Sequence, residues 1–448
     1  MTNVWKKGSS TYQHISSFKP TFQTSVDNVA RYKKSITFSD KVLPDSDRKV
    51  LETSLLYSQG KDIYELPCEL PIDTFLDDDM LGDQEDEPVV EKEAKMEKIA
   101  QSSTYGQAFN KVEKKPLVPK WTYQGETINK ITYLGENEDN NALVMASSGS
   151  LAWFKEGVRV PVHIMQEYIG PGTSYSSIHT LKGKDVMSVC DFALSVDFET
   201  VVKSQSQGPE GDSILKLVDN AGKPGELLRK VYVPGTTVTH SVRFFDNHVF
   251  GTCSDDNVIR FWDTRTGGEP TCVLSDPNNG ALTSFDVSPV IDTLFVTGSD
   301  TGIVKLWDIR SVTSAATDLA NRQNGEEPIQ DEVIALHHSG GDSVVDVKFS
   351  PTSPSEFVSI GGSGDVYHWD LQNFFSQYDD DSNDVKYPVD ENVKANALKF
   401  LHTGGSRRSL ANTGRRNVLG YHSIVSDLIA TVDEDSLITV YKPYVSDE

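Results

Sequence analysis

Three stretches of the chain close on the same pair of residues. They are GTCSDDNVIRFWDTR (251–265), VTGSDTGIVKLWDIR (296–310) and VSIGGSGDVYHWDL (358–371). Each runs out as a β-rich strand, reverses at a cluster of Gly, Ser, Asp or Asn, and returns with alternating apolar residues that end in Trp-Asp. Two such runs around a turn are a hairpin signal. A lone hairpin is marginally stable in water. A chain built from repeated hairpins is therefore confined to architectures that stack like units.

Weaker copies follow the same template. ATVDEDSLITVYKP (430–443) has Tyr441 near the Trp position, and VMASSGSLAWFKEG (144–157) has Trp153 and Phe154 there. GDSILKLVDNAG (211–222) places Val218 and Asp219 there, and LLYSQGKDIYELP (55–67) keeps Asp62, Ile63 and Tyr64 without a Trp. The set amounts to about seven hairpins at the roughly 40–45-residue period of WD repeats, and propellers of four to eight blades are usual. The expected fold is all-β, a seven-bladed WD40 β-propeller. Trp262, Asp263, Trp307, Asp308, Trp369 and Asp370 are its structural positions. Each Trp is expected to fill the wedge between neighbouring blades. In well-formed repeats Trp, Ser or Thr, His and Asp share a buried hydrogen-bonded network. Here Asn279-Gly280 and Pro234-Gly235 stand where Gly-His is usual, and only His338 is suitably placed. Most blades are expected to lack the complete network.

The spacing also marks insertions. Long gaps follow Trp307 and Trp369, with loop insertions expected at about 311–332 and 376–417. The widest gap separates the first two hairpins, with an insertion at about 73–115. It contains Asp77, Asp78, Asp79, Asp83, Glu85, Asp86 and Glu87. Such a charge block repels itself and is expected to be disordered; it is also a candidate acidic interaction segment. Residues 1–45 read as a short N-terminal extension to a propeller over 46–448. Within it Val26, Val29, Ala30 and Lys33 lie at roughly helical spacing, with Asp27 near the start. That fits a short helix or turn on the propeller rim, and equally a fraying polar terminus.

Composition bears on partners. A formal charge of −24 over 448 residues opposes sequence-independent binding to phosphates, and no direct sequence-specific nucleic-acid contact is expected. It favours basic partners. No run of apolar residues reaches the ~18 needed to cross a membrane as a helix, so no membrane partner is expected, and the N-terminus reads as no secretory signal. Cys68, Cys190, Cys253 and Cys272 are scattered, which fits thiols in a reducing compartment.

Catalytic and metal motifs fail on inspection. IGPGTSYSS (169–177) lacks the Gly-Lys-Ser/Thr ending of a phosphate loop. DDDMLGDQEDEP (77–88) has Gly82 at the sixth position of a calcium loop, but Leu81 and Pro88 occupy the fifth and twelfth. His337 and His338 are adjacent and would point to opposite faces of a strand, which does not suit a shared metal. The expectation is a non-enzymatic protein without cofactor or metal.

GGSRRSLANTGRRN (404–417) stands apart, with Arg407, Arg408, Arg415 and Arg416 in an acidic chain. Arginine forks suit carboxylates and phosphates, so this loop is a candidate partner-binding element. Two other readings are open: it folds back on the chain's own acidic insertion, or it is an ordinary solvated loop.

Several stretches, including TYQHISSFKP, GSLAWFKEGVRVPVHI, VVKSQSQGPEGDSILKLVDNAGKPGELLR, VPGTTVTHSVRFFDNH and GGDSVVDVKFS, resemble the budding-yeast WD-repeat transcriptional modulators, and the second modulator in particular. The likeness extends over nearly the whole chain and includes segments outside the blades. It implies a nuclear scaffold that modulates transcription, represses meiotic genes, acts in silencing and helps retain ribonucleotide reductase small subunits in the nucleus. The partners it implies are those subunits, sister WD-repeat modulators, and histone deacetylase corepressor components. A more distant resemblance, to histone-binding WD proteins of chromatin complexes, implies the alternative of a histone-binding or corepressor-complex subunit. The family supplies no site motif to carry over.

Overall fold

The computed structural model describes residues 10–20, 34–45, 50–71, 116–125, 127–135, 140–167, 190–206, 213–235, 237–276, 279–312, 332–372, 374–375, 394, 396–403, 416–425 and 427–445. They form an all-β propeller of seven blades with almost no helix. Each blade is an antiparallel sheet whose second and third strands are a hairpin recognised in the sequence. In blade 4 the order is Thr239–Phe244, Val249–Ser254, Val258–Asp263 and Cys272–Ser275. In blade 5 it is Leu282–Val287, Leu294–Ser299, Ile303–Asp308 and Ile334–His337.

First strands of neighbouring blades touch around the ring and so line its centre. Ser35–Phe38 meets both Ile128–Tyr133 and Arg416–Tyr421, and Val344–Phe349 meets Leu282–Val287. Several first strands share an irregularity near the second residue, for example between Thr239 and Ser241, Leu282 and Ser284, and Val344 and Asp346. A bulge of this kind increases local twist, as a strand at the narrow end of a wedge requires.

The core is divided among the seams. Seven apolar clusters each draw from two neighbouring blades. Trp262 packs with Leu217, Val231 and Phe244 between blades 3 and 4. Trp307 packs with Phe245, Phe261 and Phe285 between blades 4 and 5, and Trp369 with Val296, Leu306 and Phe357 between blades 5 and 6. Blades without the Trp-Asp ending fill the same place differently. Phe154 takes it at the seam of blades 1 and 2 and Tyr441 at that of blades 6 and 7. Each burial of a large side chain stabilises by about 1.5–3 kcal/mol, so the ring depends on every seam. The four cysteines are buried thiols.

The N-terminal boundary expected at residue 45 is corrected. Ser10–Phe18 is the fourth strand of blade 7, antiparallel to Ile438–Val445, with Ser10 opposite Val445 and Phe18 opposite Ile438. Ser35–Phe38 is the first strand of blade 1. Both are therefore parts of the ring, and blade 7 takes its fourth strand from the early part of the chain. Residues 21–33, which carry most of the expected helix, lie outside the described residues, while Ser35–Phe38 at its end is a strand. A second correction concerns 376–417. Leu398–His402 within it is not loop but the outer strand of blade 6, paired to Val366–Asp370. Of the 311–332 insertion only its ends are described, and 73–115 lies outside the described residues.

Candidate functional site

The WD positions hold the blades together. The indole N–H of Trp369 donates to Ser359 Oγ at 2.8 Å, and Ser359 Oγ meets His338 Nε2 at 2.7 Å. His338 Nδ1 donates to the Asp342 carbonyl at 2.9 Å. Burial pushes His338 down to about 4, so the neutral ring carries its proton on Nδ1. The Asp342 carboxylate accepts instead from Ser363 N and Oγ. Blades 4 and 5 stop earlier. Trp262 and Trp307 donate to Thr252 and Thr297 Oγ1, both at 2.9 Å, and no His follows.

Ion pairs stand near the positions the missing histidines would take. Glu167, after blade 2, bonds Lys203 Nζ at 2.6 Å and Lys216 Nζ at 2.5 Å in blade 3. Asp276, after blade 4, pairs with Lys305 of blade 5 at 3.1 Å. Asp263, Asp308 and Asp370 have a different task. They cap the next turn, accepting from Arg265 N at 2.8 Å, Arg310 N at 2.9 Å and Gln372 N at 2.8 Å. The Arg265 hydrogen bond holds Asp263 at about 2.

The centre of the ring is bridged by charge rather than left as an open apolar bore. Lys130 Nζ lies 2.7 Å from Asp191 Oδ1, Arg243 Nη1 2.7 Å from Asp191 Oδ2, and Arg243 Nε 2.9 Å from Asp286 Oδ1. Phe349 N–H donates to Asp286 Oδ2 at 2.9 Å. The chain of contacts thus links blades 2, 3, 4, 5 and 6. Burial works against the Asp191 carboxylate, but Lys130 and Arg243 together hold it well below the usual range. Burial brings Lys130 down to about 8 and raises Asp286. No local motif announced these residues. Their signal is a charged side chain at the fifth position of inner strands, Arg243 in THSVRF, Asp286 in LTSFDV and Lys348 in VVDVKF.

Turns between second and third strands emerge on one face of a propeller, together with the connections between blades. Here those turns are acidic. Asp255, Asp256, Asp300 and Glu434 are exposed, and Asp365 and Asp435 are half-buried. The turns reverse through left-handed residues such as Asn257 (φ 61) and Gly302 (φ 80). A Cβ on Gly302 would lie 2.6 Å from the Asp342 carbonyl, so that turn seats closely on the link to blade 6. The arginine loop leaves and rejoins the described structure on this face, after His402 and before Arg416. Arg407, Arg408 and Arg415 lie outside the described residues. Arg416 opens the first strand of blade 7, opposite Asp433. The acidic segment Asp77, Asp78, Asp79, Asp83, Glu85, Asp86 and Glu87 also lies outside them. Among the described residues no cluster of His, Cys, Asp and Glu could hold a metal ion.

No family model matches the chain. It is 53% identical over 444 residues to the transcriptional modulator WTM2 of Saccharomyces cerevisiae, covering 99% of this chain and 95% of that protein. It is 51% identical over 454 residues to the transcriptional modulator WTM1 of the same yeast, covering 99% of both. Identity to the yeast transcriptional regulatory protein UME1 is 38% over 446 residues, covering 98% of this chain and 93% of that one. Among solved structures, a chain of the mitotic checkpoint complex superposes with a TM-score of 0.56 at 8% identity over 99% of both chains, a likeness of fold alone. Full-length identity of this order places it among them: the chain belongs to the family of the yeast WD-repeat transcriptional modulators.

Proposed function

We propose that the protein is a non-enzymatic nuclear scaffold that modulates transcription by docking other proteins. The observation that carries this reading is identity to two transcriptional modulators along 99% of the chain. The ion-paired centre adds support, because Lys130, Asp191, Arg243 and Asp286 are already engaged with one another at 2.7–2.9 Å. The finer roles follow from the family likeness: repression of meiotic genes, silencing, and nuclear retention of ribonucleotide reductase small subunits. Its partners on this reading are those subunits, sister WD-repeat modulators and histone deacetylase corepressor components. Affinity purification of the tagged full chain from nuclei, with and without DNA damage, tests it. Recovery of reductase small subunits or of chromatin factors is expected; recovery of neither sinks the reading.

A second reading, a histone-binding or corepressor-complex subunit, is favoured by the acidic turns on one face. Basic tails would be drawn there, and the effect would fall steeply with salt. Purified histones should bind at low ionic strength; absence of binding there removes this alternative.

A further inference from the structure

The connection between the third and outer strands of blade 2 is folded over the outer strand of blade 1. Thr122 N–H donates to Arg159 O at 2.9 Å, and the Trp121 indole N–H donates to Lys155 O at 3.0 Å. Lys120 Nζ lies 2.8 Å from Glu65 Oε2 and 2.7 Å from Glu156 Oε2. This join leaves an apolar strip on the outer rim. Val158, Val160, Val162 and Ile164 are exposed within seven residues, and Val118 is exposed two residues before Lys120, all at 37–57%. These five are a third of the fifteen large hydrophobic side chains exposed among the described residues, so the strip is a concentration and not scatter. Exposed apolar patches rimmed by polar groups mark interaction sites.

The strip is bordered by cations that lack a partner. Glu65 and Glu156 share Lys120, whereas the side chains of Lys155 and Arg159 make no ion pair among the described residues. The course of the chain points to what covers them. Residues 72–115, outside the described residues, leave blade 1 at the end of Asp62–Pro71 and return at Pro116, two residues before Val118 and so at the strip itself. They carry Phe75, Leu76, Met80 and Leu81 beside the acidic run from Asp77 to Glu87, a composition complementary to the strip in both charge and hydropathy. The reach is sufficient. Glu65 is joined to Glu156 through Lys120, and Pro71 lies six residues further along the same strand, about 20 Å away. The six residues from Pro71 to Asp77 can span about that distance, so the acidic run reaches Lys155 and Arg159.

We propose that the acidic segment 73–88 of the same chain binds this strip, its carboxylates against Lys155 and Arg159 and its apolar residues against Val158, Val160 and Val162. Tethering decides between this occupant and others. A segment joined through a few residues has an effective concentration on the order of millimolar, and a second copy or a separate acidic peptide has to exceed that to take its place. The chain's overall charge of −24 opposes the segment at long range, but beyond about 8 Å it is screened at physiological salt, and the two local cations act at contact. The segment thereby shields an apolar surface that would otherwise favour association, and a partner for this rim has to compete with it. This inference does not depend on the transcriptional reading and would stand if that reading failed.

Zero-length carbodiimide cross-linking of the full chain, followed by peptide mass spectrometry, tests the contact directly. Carboxylates of the run Asp77 to Glu87 should be joined to Lys155 within monomers, and the yield should fall at least five-fold in about 1 M salt, where charges are screened beyond about 3 Å. Arg159→Glu should lower the yield at least five-fold; Arg159 is exposed, so circular dichroism of the variant should match the parent. A fluorescent peptide of residues 73–88, read by anisotropy, should bind a variant lacking 73–88 at least ten-fold more tightly than it binds the full chain, because the tethered copy competes. No cross-link to Lys155, a yield indifferent to Arg159→Glu, or equal binding of the peptide to both proteins overturns the proposal. Cross-links found only in dimers would give the strip to a second copy and overturn it too.

Discussion

The ring of Tyr441 in blade 7 lies nearly parallel to the imidazole of His402 in blade 6, with 4.6 Å between centroids and 11° between planes. Its hydroxyl meets His368 Nε2, also in blade 6, at 3.0 Å. Tyr441 is the third residue after Ile438, as Trp369 is after Val366, so a phenol occupies the Trp place at this seam. Tyr441→Phe keeps the stacking and loses the bond to His368, a cost of about 1 kcal/mol. Tyr441→Ala opens the seam and should cost about 3–5 kcal/mol. Urea unfolding of both variants measures the two values.

Acid should weaken the fold through buried histidines. Burial brings both His338 and His422 down to about 4, below the ~6.5 of an unfolded histidine. The unfolded chain then binds more protons between these values, so the stability is fully present above about pH 6.5 and is lost as pH falls towards 4. Each histidine accounts for about 3 kcal/mol at most. Denaturation midpoints followed from pH 7 to 4.5 should fall. His338→Gln, although less stable at neutral pH, should show a shallower fall.

Arg243 is the shared partner of Asp191 and Asp286. Arg243→Met leaves two carboxylates at the ring centre without their guanidinium, and a loss of about 3 kcal/mol is expected. Arg243→Lys can serve only one carboxylate well and should lose less. Thermal unfolding of the pair, at low and high salt, reads the difference; little change with Met would mean that water replaces the guanidinium.

Removing residues 1–18 strips the fourth strand from blade 7 and exposes the edge of Ile438–Val445. The expected outcome is a drop of several degrees or more in the unfolding temperature, with concentration-dependent association through the bared edge. A synthetic peptide spanning 8–20 added in trans should restore part of the loss.

The seven hairpins were legible because each is local: a short turn, an alternating strand, and often Trp-Asp. The blade count followed from them. Ser10–Phe18 was not legible as part of the ring, since its partner lies at the opposite end of the chain and no short-range pattern links the two. Leu398–His402 was hidden between polar runs and is only five residues long. The Trp-to-Ser or Thr bonds could be anticipated from the repeat. The Lys130, Asp191, Arg243 and Asp286 chain could not, because each residue comes from a different blade and becomes a neighbour only when the ring closes. The acidic turns could be read one by one, but their sharing of a face is a property of the closed ring.

The same join between the chain's two ends has a consequence for biosynthesis. Ser10–Phe18 leaves the ribosome long before its partner Ile438–Val445. At the usual pace of about 5–20 residues per second the early strand waits about 20 seconds to a minute and a half. Until that late strand emerges the nascent protein is an arc with two sticky rims. A truncation within Ile438–Val445 would therefore disable the early strand as well as the late one, and a chaperone serving this protein should be needed most until the late strand emerges.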